Sequence, residues 1–187
     1  MKKAFILHGM SGSIDESFGI KLKEDLTKLG YQIFQPTFTI LKDITLESWF
    51  NEMDKYKNEI EDDSIFICHS LGCLFIIKYF VKNNIKNKLI ISVAGGLCKH
   101  SEVFPGYEFL IPFIPEEDEL INFEALNNKL YNIYSDNDHI YKIFQLERYN
   151  EKANAIPVFL PNKGHFGRSS GVKEIPEIID IIKNETK

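Results

Sequence analysis

The sequence predicts a single α/β domain, three layers deep (α/β/α), with helices on both faces of a mostly parallel six-stranded sheet. Three observations predict it. Short apolar runs rich in β-branched and aromatic residues recur at 4–7, 31–34, 64–68, 88–93, 130–134 and 156–160. Each is nearly continuous in apolar character, as a strand covered on both faces must be. Amphipathic stretches separate the runs, and alternation of strand and helix implies right-handed βαβ crossovers and a parallel sheet. Finally, 187 residues suit one domain with a substantial core.

Between the first two runs Phe18, Leu22, Leu26 and Leu29 recur at helical spacing, and Trp49, Met53, Tyr56 and Ile60 do so between the second and third. Residues 71–81 are apolar nearly all round, which predicts a helix enclosed by other elements. Helical patterns at 140–149 and 175–182 complete the set. The segment 98–128 breaks the rhythm, being longer than a plain crossover needs. Pro105, Pro112 and Pro115 punctuate it, and Phe104, Tyr107, Phe109, Leu110, Ile111, Phe113 and Ile114 make it apolar. Connections of this kind commonly act as lids, so a lid-like insertion at 98–128 is expected, against helix and coil packed on the core. The acidic run 116–119 reads as a solvated tip rather than a cation site. No repeat or linker divides residues 1–187.

Composition narrows the function classes. With 44% apolar and 26% charged residues the chain is neither fibrous nor disordered. The net charge of −5 and the lack of a basic stripe argue against nucleic-acid binding. Three cysteines, Cys68, Cys73 and Cys98, with no CxxC, argue against a disulfide framework and a cysteine-rich zinc site. The apolar run at 4–7 is too short for a signal peptide or a membrane span. The expectation is a cytoplasmic protein with no membrane association, no cofactor and no metal.

In parallel sheets ligands bind beyond the carboxyl ends of the strands, so chemistry is sought in the loops that follow them. The strongest signal is 64–72, Ser-Ile-Phe-Ile-Cys-His-Ser-Leu-Gly, where a strand runs into Ser70 and a helix begins at once. This is the context of a nucleophile elbow, in which a strained turn lifts the serine hydroxyl above the sheet. Residues two before and two after must be small. Here they are Cys68, where glycine is usual, and Gly72. Alone, Ser70 would read as a helix cap. A serine nucleophile needs a base, and the base needs an orienting acid, in the chain order serine, acid, histidine. The loop after 130–134 supplies Asp136 and Asp138, and the loop after 156–160 supplies His165. Asp138 is favoured as the acid because it sits further from its strand, just before a helix, whereas Asp136 has the look of a turn-stabilising residue. His100 and His139 read as surface residues. His69 reads as a packing or hydrogen-bonding neighbour of the nucleophile.

The first strand ends in His8-Gly9-Met10-Ser11-Gly12-Ser13. An oxyanion needs two backbone donors, one after the nucleophile and one from a loop after another strand; the amides of Leu71 and Met10 are the expected pair, with Gly9 allowing close approach. A phosphate loop is excluded, because neither GxxxxGK[ST] nor GxGxxG is present.

His69-Ser70-Leu71-Gly72-Cys73, with Trp49 and Pro36 upstream, His8-Gly9 near the start and Gly164-His165-Phe166 near the end, resembles the small α/β-hydrolases related to retinoblastoma-binding protein 9. The resemblance implies a compact α/β-hydrolase fold with strand order 2-1-3-4-5-6. It also implies Ser70 as nucleophile, Asp138 as acid and His165 as base of a serine hydrolase of small esters, amides or thioesters. The family name allows a protein partner as well. Phe104, Phe109, Phe113 and Phe166 are the expected substrate contacts, favouring a hydrophobic acyl or aryl group. Two rivals remain: a catalytically weak scaffold that binds protein, and an acyltransferase or thioesterase with the same triad.

Overall fold

The structure, a computed structural model, describes residues 1–15 and 17–186. Its six strands are β1 (Lys3–Leu7), β2 (Gln32–Phe34), β3 (Ile65–His69), β4 (Leu89–Val93), β5 (Lys129–Tyr134) and β6 (Ile156–Phe159). They form one sheet in the order β2-β1-β3-β4-β5-β6, with every pairing parallel. From β1 the chain steps outward to β2, then crosses back to lay β3 on the other side of β1. The point where the winding reverses opens a crevice at the strands' carboxyl ends. The register Leu7↔Cys68 sets the loop after β1 beside the end of β3.

Among the described residues six α-helices cover the sheet: α1 (Gly19–Lys28), α2 (Leu46–Asp54), α3 (Leu71–Asn83), α4 (Glu117–Ala125), α5 (Ile143–Lys152) and α6 (Pro176–Glu185). Alternate strand residues face opposite ways. Ala4, Ile6, Ile65, Ile67 and Ile91 join Leu22 and Leu26 of α1 and Ile178 and Ile182 of α6 in one core. Phe5, Leu7, Phe66, Cys68 and Ile90 join Trp49 and Met53 of α2 and Leu74 and Phe75 of α3 in the other. Residues 71–80 of α3 are all buried, which is why that helix has no polar face. No helix among the described residues is long and apolar enough to cross a membrane.

Two helix boundaries differ from the sequence expectation. Tyr56 and Ile60, expected to continue the helix of Trp49 and Met53, lie outside α2, which closes at Asp54 and is followed by a separate turn of 3₁₀ helix at Lys57–Glu59. Helix α5 starts at Ile143, not 140, because Asp138 Oδ1 accepts the amides of Ile140 (2.7 Å) and Tyr141 (3.0 Å) and holds those residues in a turn. The segment 98–128 contains α4, and the acidic run 116–119 is its N-terminus. Glu119 accepts the Glu116 amide and pairs with Lys78 of α3. Phe113, Ile114, Leu120 and Phe123 are buried in the core beneath.

The start of this segment is latched to α5. Glu102 accepts both guanidinium nitrogens of Arg148 (2.7 and 3.0 Å), the Gln145 amide (3.1 Å) and the Lys99 backbone N–H (3.0 Å). Arg148 holds the Glu102 carboxyl down to about 2, against the opposing effect of burial. A carboxyl depressed in the folded state adds stability at neutral pH that disappears as pH falls from its ordinary 4.5 through about 2. Glu102→Gln is therefore expected to flatten the pH dependence of the urea-unfolding free energy across that window. An unchanged slope would show that the latch adds nothing.

Candidate active site

Strand β3 ends at His69 and α3 begins at Leu71, so Ser70 alone turns the chain, with φ 53° and ψ −117°. A side-chain-bearing residue held there costs on the order of 1–3 kcal/mol and must be clamped by its surroundings. The Ser70 amide donates to the Val93 carbonyl (3.0 Å), and the Ser70 carbonyl accepts from the Cys73 amide (2.9 Å). Gly72 leaves room for this close passage: a Cβ there would lie 2.8 Å from the His8 carbonyl oxygen. Cys68 is accommodated where the motif usually has glycine. It is fully buried, and its carbonyl accepts from the Cys73 thiol (3.2 Å). Burial pushes the thiol of Cys68 well up and that of Cys73 to about 12, so neither is a thiolate competing with Ser70.

The structure brings Ser70, His165 and Asp138 together. His165 Nε2 lies 2.8 Å from Ser70 Oγ, and His165 Nδ1 lies 2.7 Å from Asp138 Oδ2. The Asp138 side chain is 1% exposed and that of His165 10%. Burial pushes the Asp138 carboxyl up, but the His165 hydrogen bond and charge and the amides of Tyr141 and Ile140 outweigh it and leave the group below its ordinary value. An ionised carboxylate only accepts, so the imidazole proton sits on Nδ1 and Nε2 is free to take the serine proton. Asp136 instead accepts from the Ser135 hydroxyl (3.3 Å) and the Asn162 amide (2.9 Å).

The loop after β1 lies against the nucleophile. A Cβ on Gly9 would stand 2.9 Å from Ser70 Cβ and 3.4 Å from Ser70 Oγ, so no side chain fits. His8 shapes this loop. Its Nε2 accepts the Phe38 amide (3.1 Å), which places its proton on Nδ1, and Nδ1 donates to the Gly9 carbonyl (2.7 Å). The Met10 carbonyl accepts from Leu41 (3.3 Å), fixing the next peptide. Leu71 opens α3, so its N–H has no carbonyl acceptor within the helix, and the helix dipole favours negative charge there.

The Asp138 loop grips the His165 loop residue by residue. Asp136 Oδ1 accepts the Asn162 amide (2.9 Å), Ser135 Oγ the Lys163 amide (2.8 Å) and Asn137 Oδ1 the Gly164 amide (2.7 Å). Asp138 takes the His165 ring. Asp136 holds a loop, as the sequence suggested, whereas Ser135 and Asn137 had no expected role; their only signal is a run of four short polar side chains after a strand, with partners 28 and 27 residues away.

Above Ser70 opens a cavity of about 690 Å³. Its wall consists of Gly9, Met10, Ile14 and Ile140, the imidazoles of His69, His139 and His165, and a rim of serines with Arg168. The expected phenylalanine contacts are corrected here, since none of the four is among the lining residues. Phe113 is fully buried edge-on to Trp49 (5.1 Å between ring centroids). Phe166, at φ 55°, turns away from its neighbour His165 into the α1/α6 core. Phe109 packs on the opposite core, and Phe104 is 65% exposed. Val103, Phe109, Leu110, Phe113 and Ile114 serve the core on that face of the sheet, while Phe104 and Tyr107 stay exposed. His139 is exposed, as expected, and also forms part of the cavity wall, with its ring centroid 5.9 Å from that of His165.

The YdeN protein of Bacillus subtilis (strain 168) is 21% identical over 188 residues, spanning 97% of this chain and 94% of its own. The crystal structure of that gene product superposes with a TM-score of 0.83 at 20% identity and covers 98% of both chains. Est1E from Butyrivibrio proteoclasticus, solved with ferulic acid, gives 0.70 at 15% identity over 100% of this chain and 88% of its own. A meta-cleavage product hydrolase from Pseudomonas fluorescens IP01 gives 0.70 at 11% identity over 100% and 92%. These likenesses identify the fold as that of the α/β-hydrolases. A sequence model of the family described as serine hydrolase matches residues 4–184, and the chain belongs to that family.

Proposed function

We propose that the protein hydrolyses small carboxylic esters through an acyl-enzyme, using a Ser70–His165–Asp138 triad and no cofactor. The observation that carries this reading is the pair of hydrogen bonds, 2.8 and 2.7 Å, linking hydroxyl, imidazole and carboxylate. Ser70 Oγ attacks the ester carbonyl carbon while His165 Nε2 takes its proton. Asp138 keeps the proton on Nδ1 and stabilises the imidazolium. The amides of Met10 and Leu71 donate to the oxyanion, each worth on the order of 10²–10³ in rate. Collapse expels the alcohol, which takes the proton from His165. Water, activated by the same imidazole, then attacks the acyl-enzyme and releases the acid. Glycines, serines, three imidazoles and Arg168 make up most of the wall, with Met10, Ile14 and Ile140 as its apolar part, which suits a small, partly polar acyl group better than the hydrophobic acyl or aryl group expected from the sequence.

Kinship with the hydrolases related to retinoblastoma-binding protein 9, action on amides or thioesters, and a cytoplasmic setting, which three free thiols suit, belong to the same proposal. A lid role for 98–128 is carried only by Phe104 and Tyr107, its two exposed aromatic side chains. The test is turnover of p-nitrophenyl acetate and butyrate with an alcohol acceptor beside water. Equal release of p-nitrophenolate and free acid is expected. Formation of the acceptor's ester in place of the acid would assign an acyltransferase. No release by the folded protein would assign a binding scaffold and overturn the proposal.

A further inference from the structure

The loop that carries His165 follows β6, and two strands separate β6 from β3, which carries the nucleophile. Something must fix the imidazole relative to a hydroxyl from a strand that is not its neighbour. The Ser135–Asp138 loop supplies one anchor, from β5. A second comes from β3 itself. His69 Nε2 lies 2.9 Å from the His165 carbonyl oxygen, and because a carbonyl only accepts, His69 is the donor. Its ring is buried, edge-on to Phe18 (6.0 Å) and 5.1 Å from the His165 ring. Burial pushes His69 down to about 3, so it stays a neutral donor across the working range of a hydrolase.

Two consecutive residues of the elbow therefore hold one residue of the base loop at two points. Ser70 Oγ meets the His165 imidazole at 2.8 Å, and His69 meets its carbonyl at 2.9 Å. We infer that His69 is a positioning residue: by holding the His165 main chain, it makes the nucleophile elbow set the place of the base as well as of the nucleophile. The inference rests on His165 acting as the base. Among the described residues, the other hydrogen bond between His165 and the elbow is the catalytic contact itself, which must break and re-form in each cycle. A shift of about 1 Å in a catalytic group costs on the order of 10²-fold in rate.

The test compares His69→Gln, whose amide nitrogen reaches close to the place of Nε2, with His69→Asn, whose shorter side chain does not reach the carbonyl. Both are polar and smaller than histidine, asparagine the more so, and thermal unfolding measures the packing loss of each and checks that both are folded. With p-nitrophenyl acetate, His69→Asn is expected to lose about 10–100-fold, in kcat rather than KM, and His69→Gln to recover most of it. The second readout is the far-downfield proton resonance of His165 Nδ1–H against Asp138. It should persist in wild type and His69→Gln, and broaden or vanish in His69→Asn. Wild-type kcat in His69→Asn, or equal losses in the two variants, would overturn the inference while leaving the hydrolase reading intact. A wild type that hydrolyses nothing yet shows the resonance pattern would overturn the hydrolase reading alone.

Discussion

Ser70→Ala is expected to lower kcat/KM for p-nitrophenyl acetate by about 10⁴–10⁶, with the loss in kcat. The residue holds the hydroxyl that stands within hydrogen-bond reach of the imidazole, and the neighbouring thiols are buried and protonated. Stability should change by no more than about 1 kcal/mol, the usual worth of one hydrogen bond, because alanine tolerates φ 53° no worse than serine does. Since nucleophile and base act as a unit, adding His165→Ala to Ser70→Ala should cost little more. Steady-state kinetics on the two variants and their combination check both points. A Ser70→Ala protein that keeps more than about a tenth of wild-type kcat/KM would remove Ser70 from the chemistry.

Asp138→Asn is expected to cost about 10⁴ in kcat with the fold unchanged. The carboxylate accepts from His165 Nδ1 at 2.7 Å and so keeps the proton on that nitrogen. An asparagine amide donates toward the same atom and favours the other tautomer, in which Nε2 carries the proton and cannot accept one from Ser70. The control is Asp136→Asn. Asp136 accepts the Asn162 amide at 2.9 Å, and an asparagine carbonyl oxygen can accept it too, so the loss there should stay below about tenfold. Parallel kcat measurements on the two variants separate the aspartates. The reverse order of effects would pass the acid role to Asp136.

What the sequence made legible follows from how local each signal is. The inner strands β1, β3 and β4 were readable because a parallel strand covered on both faces must be apolar throughout, and residues 71–81 because an enclosed helix is apolar all round; the edge strands β2 and β6 kept the apolar pattern although they are largely or partly exposed. The strand order came only with the family resemblance, since apolar runs do not say which strand lies beside which. Ser70, Asp138 and His165 could be picked out because each follows a strand and their chain order suits one chemistry. The start of α5 was misplaced because Asp138 spends its second oxygen on the amides of Ile140 and Tyr141, a contact with no periodic signature.

The phenylalanines misled for a similar reason. Hydrophobicity shows that a ring leaves water, not whether it enters a cavity or the core. Phe113 meets Trp49, distant in sequence, and Phe166 is steered from the site by a backbone angle. The cavity wall was equally hidden, because much of it is built from residues 9–14 and Ser17, where glycines and serines carry no apolar pattern.

The most direct measurement is treatment of the folded protein with a fluorophosphonate, which reacts with a serine only where a base activates its hydroxyl. Intact-mass analysis followed by peptide mapping should find one phosphonyl group per chain, on Ser70, with none on Ser70→Ala and strongly slowed labelling of Asp138→Asn. A folded wild type that stays unmodified, or that carries the adduct on another residue, would contradict the triad.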